Sequence, residues 1–250
     1  MTILEVCLDD IGGAILAEQA GADRIEICAA LDNGGITPSV GTVASVFTSL
    51  TSMMVMVLIR QRGGDFVYSS AEVDAMVADI HAMRALPRAD GVTLGFVVGA
   101  LTSTGTVDKE ATSKLVEACH QHPVTFHKAF DLLVDQVSAL ESLVSLGIAR
   151  VLTSGGAPSA LDGAEAIAAL VAQAGQRITI LAGGGVRAHN ALEIVARTGV
   201  TELHFRAPAE VASLGLQDDA SLLYDNGSRT VTSSEIVRAV RTAVSSLRVL

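Results

Sequence analysis

Eight short β-rich runs alternate with eight helix-like stretches along the whole chain, and this rhythm narrows the fold more than any single motif. The runs fall at residues 3–8, 24–28, 54–59, 91–97, 124–127, 149–153, 178–181 and 202–205. The helix-like stretches lie between and after them, at roughly 11–17, 39–51, 71–85, 108–120, 133–146, 159–174, 188–198 and 234–247. Strands alternating with helices of this length imply βαβ units and a parallel sheet. Eight such units in 250 residues favour an α/β fold of one closed (β/α)8 TIM barrel, residues 1–250, over an open doubly wound sheet. The open sheet calls for a glycine fingerprint directly after its first strand, where Asp9-Asp10-Ile11-Gly12-Gly13 stands instead. Ser69-Ser70 and Asp108 are expected N-caps, and Pro158-Ser159 is expected to open the sixth helix. The Ser-, Asp- and Gly-rich segment 206–233 reads as a long loop after the eighth strand.

Composition enters where it limits partners. Half of the residues are apolar and mean hydropathy is +0.47, so a large core can form. With 17 basic and 27 acidic residues the net charge is −10, which disfavours nucleic acid and anionic membranes as partners. Three cysteines are too few for a disulfide framework and point to a reducing cytoplasm. The N-terminus shows no signal-peptide layout, and the uncharged stretch 91–107 is broken by glycines and threonines, which makes a poor membrane span.

Glu5-Val6-Cys7 and Glu26-Ile27-Cys28 repeat one pattern in the first two runs. Strand side chains alternate faces, so each run carries an inward carboxylate with a thiol two residues further on. Buried carboxylates need partners, and Arg24 and Arg60 are the candidates. The result is either a structural ion-pair network or an acid/base pair whose pKa values are split by proximity and burial.

Barrel chemistry gathers at the C-terminal ends of the strands. Those ends carry Cys7 and Asp9, Cys28, Arg60, Gly95, His127 and Asp131, Thr153-Ser154-Gly155-Gly156, Gly183-Gly184-Gly185 and His204. Neighbouring strands lie about 4.8 Å apart, so Cys7 and Cys28 could place both sulfurs on one soft ion such as Cu(I), with His127 or His204 completing the site. They could equally be small buried hydrophobes. Cys119 reads as a packing residue, with His120 and His122 beside it in solvent. The loops Ser154-Gly155-Gly156 and Gly184-Gly185 either bind an anion through freed N–H groups or simply turn tightly. Lys128 follows an inward His127, so it is expected to point away from the mouth.

Several long motifs resemble the CutC family. They are Leu4-Glu5-Val6-Cys7, Ala22-Asp23-Arg24-Ile25-Glu26-Ile27-Cys28, Gly34-Gly35-Ile36-Thr37-Pro38-Ser39, and the run from Ile59-Arg60 through Gly63-Gly64-Asp65-Phe66 to Ser69. Thr125-Phe126-His127-Lys128-Ala129-Phe130-Asp131, Leu152-Thr153-Ser154-Gly155-Gly156 and Gly183-Gly184-Gly185-Val186 continue it. The resemblance implies a cytoplasmic TIM barrel that self-associates as a homodimer and is described as a copper homeostasis protein. The family's Cu(I) cysteines match Cys7 and Cys28, and its polar mouth residues match Glu5, Arg24, Glu26, Arg60, His127, Asp131 and His204. The chain departs from the pattern at Gln61 (Pro is usual), Lys128 (Arg), Phe205-Arg206-Ala207 (small residues) and a lengthened 91–105.

Two functions follow as expectations. One is Cu(I) handling through Cys7 and Cys28. The other is an enzyme acting on a small anionic or phosphorylated metabolite. There Glu5, Glu26, His127 and Asp131 would transfer protons, while Arg24, Arg60, Ser154, Gly155, Gly156, Gly184, Gly185 and His204 hold the ligand.

Overall fold

A computed structural model describes residues 2–215, 225 and 227–245. The strands are β1 (Ile3–Leu8), β2 (Arg24–Ile27), β3 (Met54–Leu58), β4 (Thr93–Val98), β5 (Val124–Phe126), β6 (Arg150–Thr153), β7 (Thr179–Gly183) and β8 (Glu202–Arg206). They pair in sequence order, all parallel, and β8 closes onto β1, so the barrel is complete. The helices between and after them are α1 (Ile11–Gln19), α2 (Val40–Ser49), α3 (Ser70–Arg84), α4 (Lys109–Cys119), α5 (Gln136–Ser145), α6 (Ala164–Ala174), α7 (Ala191–Thr198) and α8 (Ser234–Ser245).

Strand alternation divides the buried side chains between two cores. Leu4, Val6 and Leu8 of β1 and Ile25 and Ile27 of β2 join the layer between sheet and helices, where Phe47, Phe96, Phe126 and Phe130 are fully buried. Each such side chain contributes about 1.5–3 kcal/mol when buried. The opposite faces of the same strands carry Glu5, Cys7, Arg24 and Glu26 into the barrel, beside Met56 of β3 and His204 of β8. The helices start where short polar side chains satisfy free backbone N–H groups. Ser69 and Glu72 form a capping box on α3, and the Asp108 carboxylate accepts from Ala111 on α4.

Three stretches differ from the expectation. The sixth helix starts at Ala164 rather than 159, because Ser159 and Asp162 hydrogen-bond to each other in a preceding turn. β5 ends at Phe126, and a 3-10 turn over Lys128–Leu132 follows at once. The segment after β8 is not one loop: β9 (Pro208–Ala212) and β10 (Ser228–Thr232) form an antiparallel hairpin. Asp10 anchors that hairpin by accepting from the Thr232 N–H and hydroxyl, a link between residues 222 apart that the local sequence does not reveal. Among the described residues, no helix is long and apolar enough to cross a membrane.

Candidate functional site

Two layers of polar side chains fill the upper barrel. In the lower one, Arg24 donates from Nε to Glu5 and from Nη2 to Glu202, and Arg150 Nε reaches Glu202 at 3.1 Å. Arg24 therefore serves Glu5, its register partner on β1, rather than Glu26. Glu202 and Arg150, which complete the network, stand at the starts of their strands, away from the C-terminal ends where barrel chemistry gathers. Glu5 also binds His204 Nδ1 at 2.7 Å. Full burial would raise the Glu5 pKa, but Arg24 and His204 outweigh it and hold the carboxyl at about 2. Burial would lower the pKa of His204; the Cys7 thiol and the Glu5 and Glu26 carboxyls win and raise it well above the ordinary value, so the ring is an imidazolium.

The layer above is less completely paired. Glu26 takes only a long contact from the Cys7 thiol, 3.7 Å to Oε1, and its Oε2 is buried without a partner. Desolvation raises its pKa to about 7. The Cys7 thiol, beside that of Cys28, buried and facing Glu26, is pushed well above its ordinary pKa and stays protonated. Cys28 donates to the Leu8 carbonyl at 3.4 Å and packs in one small cluster with Cys7, Met56, Leu58 and Val97.

Arg60 and His127 complete the wall. Arg60 Nη1 donates to the Gly34 and Gly35 carbonyls at 3.1 and 2.8 Å, and Nη2 to the Gly64 carbonyl at 2.9 Å. These partners are neutral, so among the described residues the buried guanidinium has no counter-ion, and its Nε has no hydrogen-bond partner. Phe66 packs between the two groups, 4.7 Å from the Arg60 Cζ and 4.8 Å from the His127 ring centre. Burial and the Arg60 charge depress the His127 pKa to about 3. Gly99 makes room for this imidazole: a Cβ there would lie 2.3 Å from His127 Cε1.

Glu26, Cys7, His204, Arg60, His127 and Phe66 line one cavity of about 210 Å3, with Leu31, Leu58 and Leu152 as its apolar walls and Lys128 and Arg206 also on it. Lys128 thus corrects the expectation that it points away. Strand alternation stops at Phe126, and the 3-10 turn swings Lys128 back to the mouth, 2.7 Å from both Asp131 and Ser154. Arg206 lies 3.6 Å from Asp32 across the rim.

The other candidates lie beside the cavity. The Asp131 carboxylate accepts from the Thr153 hydroxyl, from the Ser154 and Gly156 N–H groups at 3.1 Å, and from Lys128, so it clamps the loop after β6. The Gly155 N–H is spent on Thr153 Oγ1 at 2.8 Å, and a Cβ on Gly155 would meet the Gly163 carbonyl at 2.6 Å. Close packing accounts for that glycine. Gly184 sits against Ser154 and Lys128, and the Gly185 carbonyl accepts from Asn190 at 2.9 Å. Gly95 lies within β4 against Met56 rather than at its end. Cys119 is buried with its thiol pushed up to about 12, His120 is exposed, and half-buried His122 contacts the Leu94 carbonyl at 3.2 Å. Phe66, Gly34 and Gly35 shape the cavity without any chemical signature of their own.

The sequence model of the CutC family matches residues 2–208. The chain belongs to the CutC family. The human copper homeostasis protein cutC homolog is 46% identical over 205 residues, 82% of this chain and 73% of its own length. A CutC protein of Mesorhizobium japonicum is 44% identical over 213 residues, covering 85% and 80%. The crystal structure of a CutC protein from Streptococcus agalactiae superposes with a TM-score of 0.75 at 35% identity, covering 82% of this chain and 98% of that one.

Copper suits part of this CutC site. The Cys7 sulfur, a Glu26 oxygen and a His204 nitrogen lie within 4.8 Å of one another. Glu5 occupies His204 Nδ1, the outer-shell arrangement that orients metal-binding imidazoles, and a metal at Nε2 would displace the proton of the imidazolium. The Cys7 sulfur and the His204 imidazole suit Cu(I) by softness, whereas the Glu26 carboxylate is a hard donor and Cys28, whose thiol turns to the Leu8 carbonyl, stands outside this group of donors. The cationic Arg60 and Arg206 on the same cavity oppose a bound cation and favour an anion.

Proposed function

We propose that the mouth of the barrel binds a small anionic metabolite and moves a proton on it. One observation carries this: a buried carboxyl oxygen of Glu26 and the buried guanidinium of Arg60 share a cavity without neutralising each other. A structural ion pair would bring such groups together, because an uncompensated buried charge is costly. Held apart across a ligand-sized space, they suit a molecule that supplies both the counter-ion and the proton site. Arg60 anchors the anion, Glu26 exchanges the proton, and the His204 imidazolium, held by Glu5, stabilises negative charge that develops on the ligand. Thermal shift of the full chain against a metabolite collection tests it. An anion should raise the melting temperature of the parent and not of Arg60→Gln. Solvent deuterium exchange into the bound compound, followed by NMR, should vanish in Glu26→Gln. Neutral compounds stabilising both chains equally would overturn the proposal.

A second function, Cu(I) binding, is favoured by the shared packing of the Cys7 and Cys28 side chains and by the Cys7 sulfur lying within 4.8 Å of a His204 nitrogen. In it Cys7 and Cys28 hold the ion, since one thiolate supplies too few soft donors. Competition against a Cu(I) chelator under reducing conditions decides between them. The double variant Cys7→Ser, Cys28→Ser should bind far more weakly than Cys119→Ser, each Ser costing about 1–2 kcal/mol of stability. Equal affinity in the double variant and the parent would end the copper function. The three buried, free cysteines suit a cytoplasmic setting. Exposed Leu132, Val134 and Val137 offer apolar contact area for a homodimer, which a monomeric mass by light scattering would exclude.

A further inference from the structure

Unpaired atoms on the residues that line the cavity also specify what kind of anion fits. The Ala129 N–H donates to His127 Nδ1 at 3.2 Å, which makes that nitrogen the acceptor of a neutral ring and puts the ring proton on Nε2. His127 is 6% exposed, and Nε2 has no partner. Arg60, also 6% exposed, has a free Nε, while its other nitrogens are taken by the carbonyls of Gly34, Gly35 and Gly64. Phe66 packs against both, so two buried N–H donors and one uncompensated positive charge stand on the same wall. Glu26 Oε2, 5% exposed at the residue level, is the unpaired acceptor of the same cavity.

We propose that the ligand is a small aliphatic hydroxy acid, its carboxylate received by His127 and Arg60 and its hydroxyl given to Glu26. This rests on the anionic-metabolite function proposed above and narrows it to one substrate class. Two donors and one charge match the two oxygens and single charge of a carboxylate. A phosphate dianion would need more donors, and the remaining cations are engaged: His204 with Glu5, Lys128 with Asp131 and Ser154, Arg206 with Asp32 at 3.6 Å. Leu31, Leu58 and Leu152 leave a short apolar stretch for the carbon chain, and about 210 Å3 admits only a small molecule.

Calorimetric titration of the full chain with glycolate, D- and L-lactate, 2- and 3-hydroxybutyrate and malate tests the class. Lactamide, propionate, butyrate and inorganic phosphate are the controls. At least one hydroxy acid should bind, with its amide and its deoxy acid each about tenfold weaker or worse, because each leaves a buried group unpaired. His127→Phe should weaken that acid by a similar factor. If phosphate binds through Arg60 and no hydroxy acid does, the substrate class is wrong and the anion site stands. If no anion binds, both fall. A deoxy acid or an amide binding as well as the hydroxy acid also overturns the proposal. Should His127→Phe fail to fold, the ligand series decides alone.

Discussion

The lower and upper polar layers of the barrel are both buried and both charged, yet they are built on opposite terms. Below, each charge of Glu5, Arg24, Glu202 and Arg150 faces an opposite one. Above, among the described residues, Glu26 forms no ion pair although the His204 imidazolium is near, Arg60 has no counter-ion, and atoms of Glu26, Arg60 and His127 go unbonded. A closed network settles the interior and holds neighbouring strands in register. An open one keeps desolvated groups ready for something that arrives from outside. Glu5 links the two, since one of its oxygens serves Arg24 and the other His204.

Removing a cation from each layer separates them most sharply. Arg24→Met leaves Glu5 and Glu202 without their main counter-charge and should cost about 3–5 kcal/mol in denaturant unfolding. Gly99→Ala should follow, at about 1–3 kcal/mol, because the new methyl collides with His127. Its diagnostic is ligand affinity lost beyond what the stability change explains. Arg60→Met strands carbonyls but no carboxylate, so about 1–2 kcal/mol is expected, with ligand binding abolished. An Arg60→Met cost equal to that of Arg24→Met would break the contrast between the layers.

A pH dependence probes the upper layer without removing a side chain. Burial lifts Glu26 from 4.5 to about 7, so the fold favours its protonated form. That contribution is complete below the unfolded pKa and is withdrawn as pH rises through 7. Glutamine at this position imitates the protonated acid. Melting temperatures recorded between about pH 5 and pH 8 should fall for the parent and stay flatter for Glu26→Gln. Parallel curves would show that Glu26 has an anchored partner after all.

Much of this is legible in the sequence. The eight β/α alternations, the inward parity of Glu5, Cys7 and Glu26, and the caps at Ser69 and Asp108 follow from short-range periodicity and from orphan N–H groups, which are local properties. Lys128 departs from the expected direction because alternation holds only while the strand lasts, and β5 stops at Phe126. Glu202 and Arg150 carry no local signal of their part, because it depends on which strands meet across the barrel. The hairpin after β8 stayed hidden for a similar reason: its anchor, Asp10, lies at the other end of the chain.

The chain's own order of residues therefore determined the barrel and the set of groups pointing into it, because hydrophobic period and end-capping act over a few residues at a time. Closure and shear then decided which of those groups meet. Glu5 went to Arg24 and His204, and Glu26 and Arg60 were left facing a cavity instead of each other. Pairing between side chains from distant segments is set by the packing of the whole sheet, and only the tertiary structure contains it.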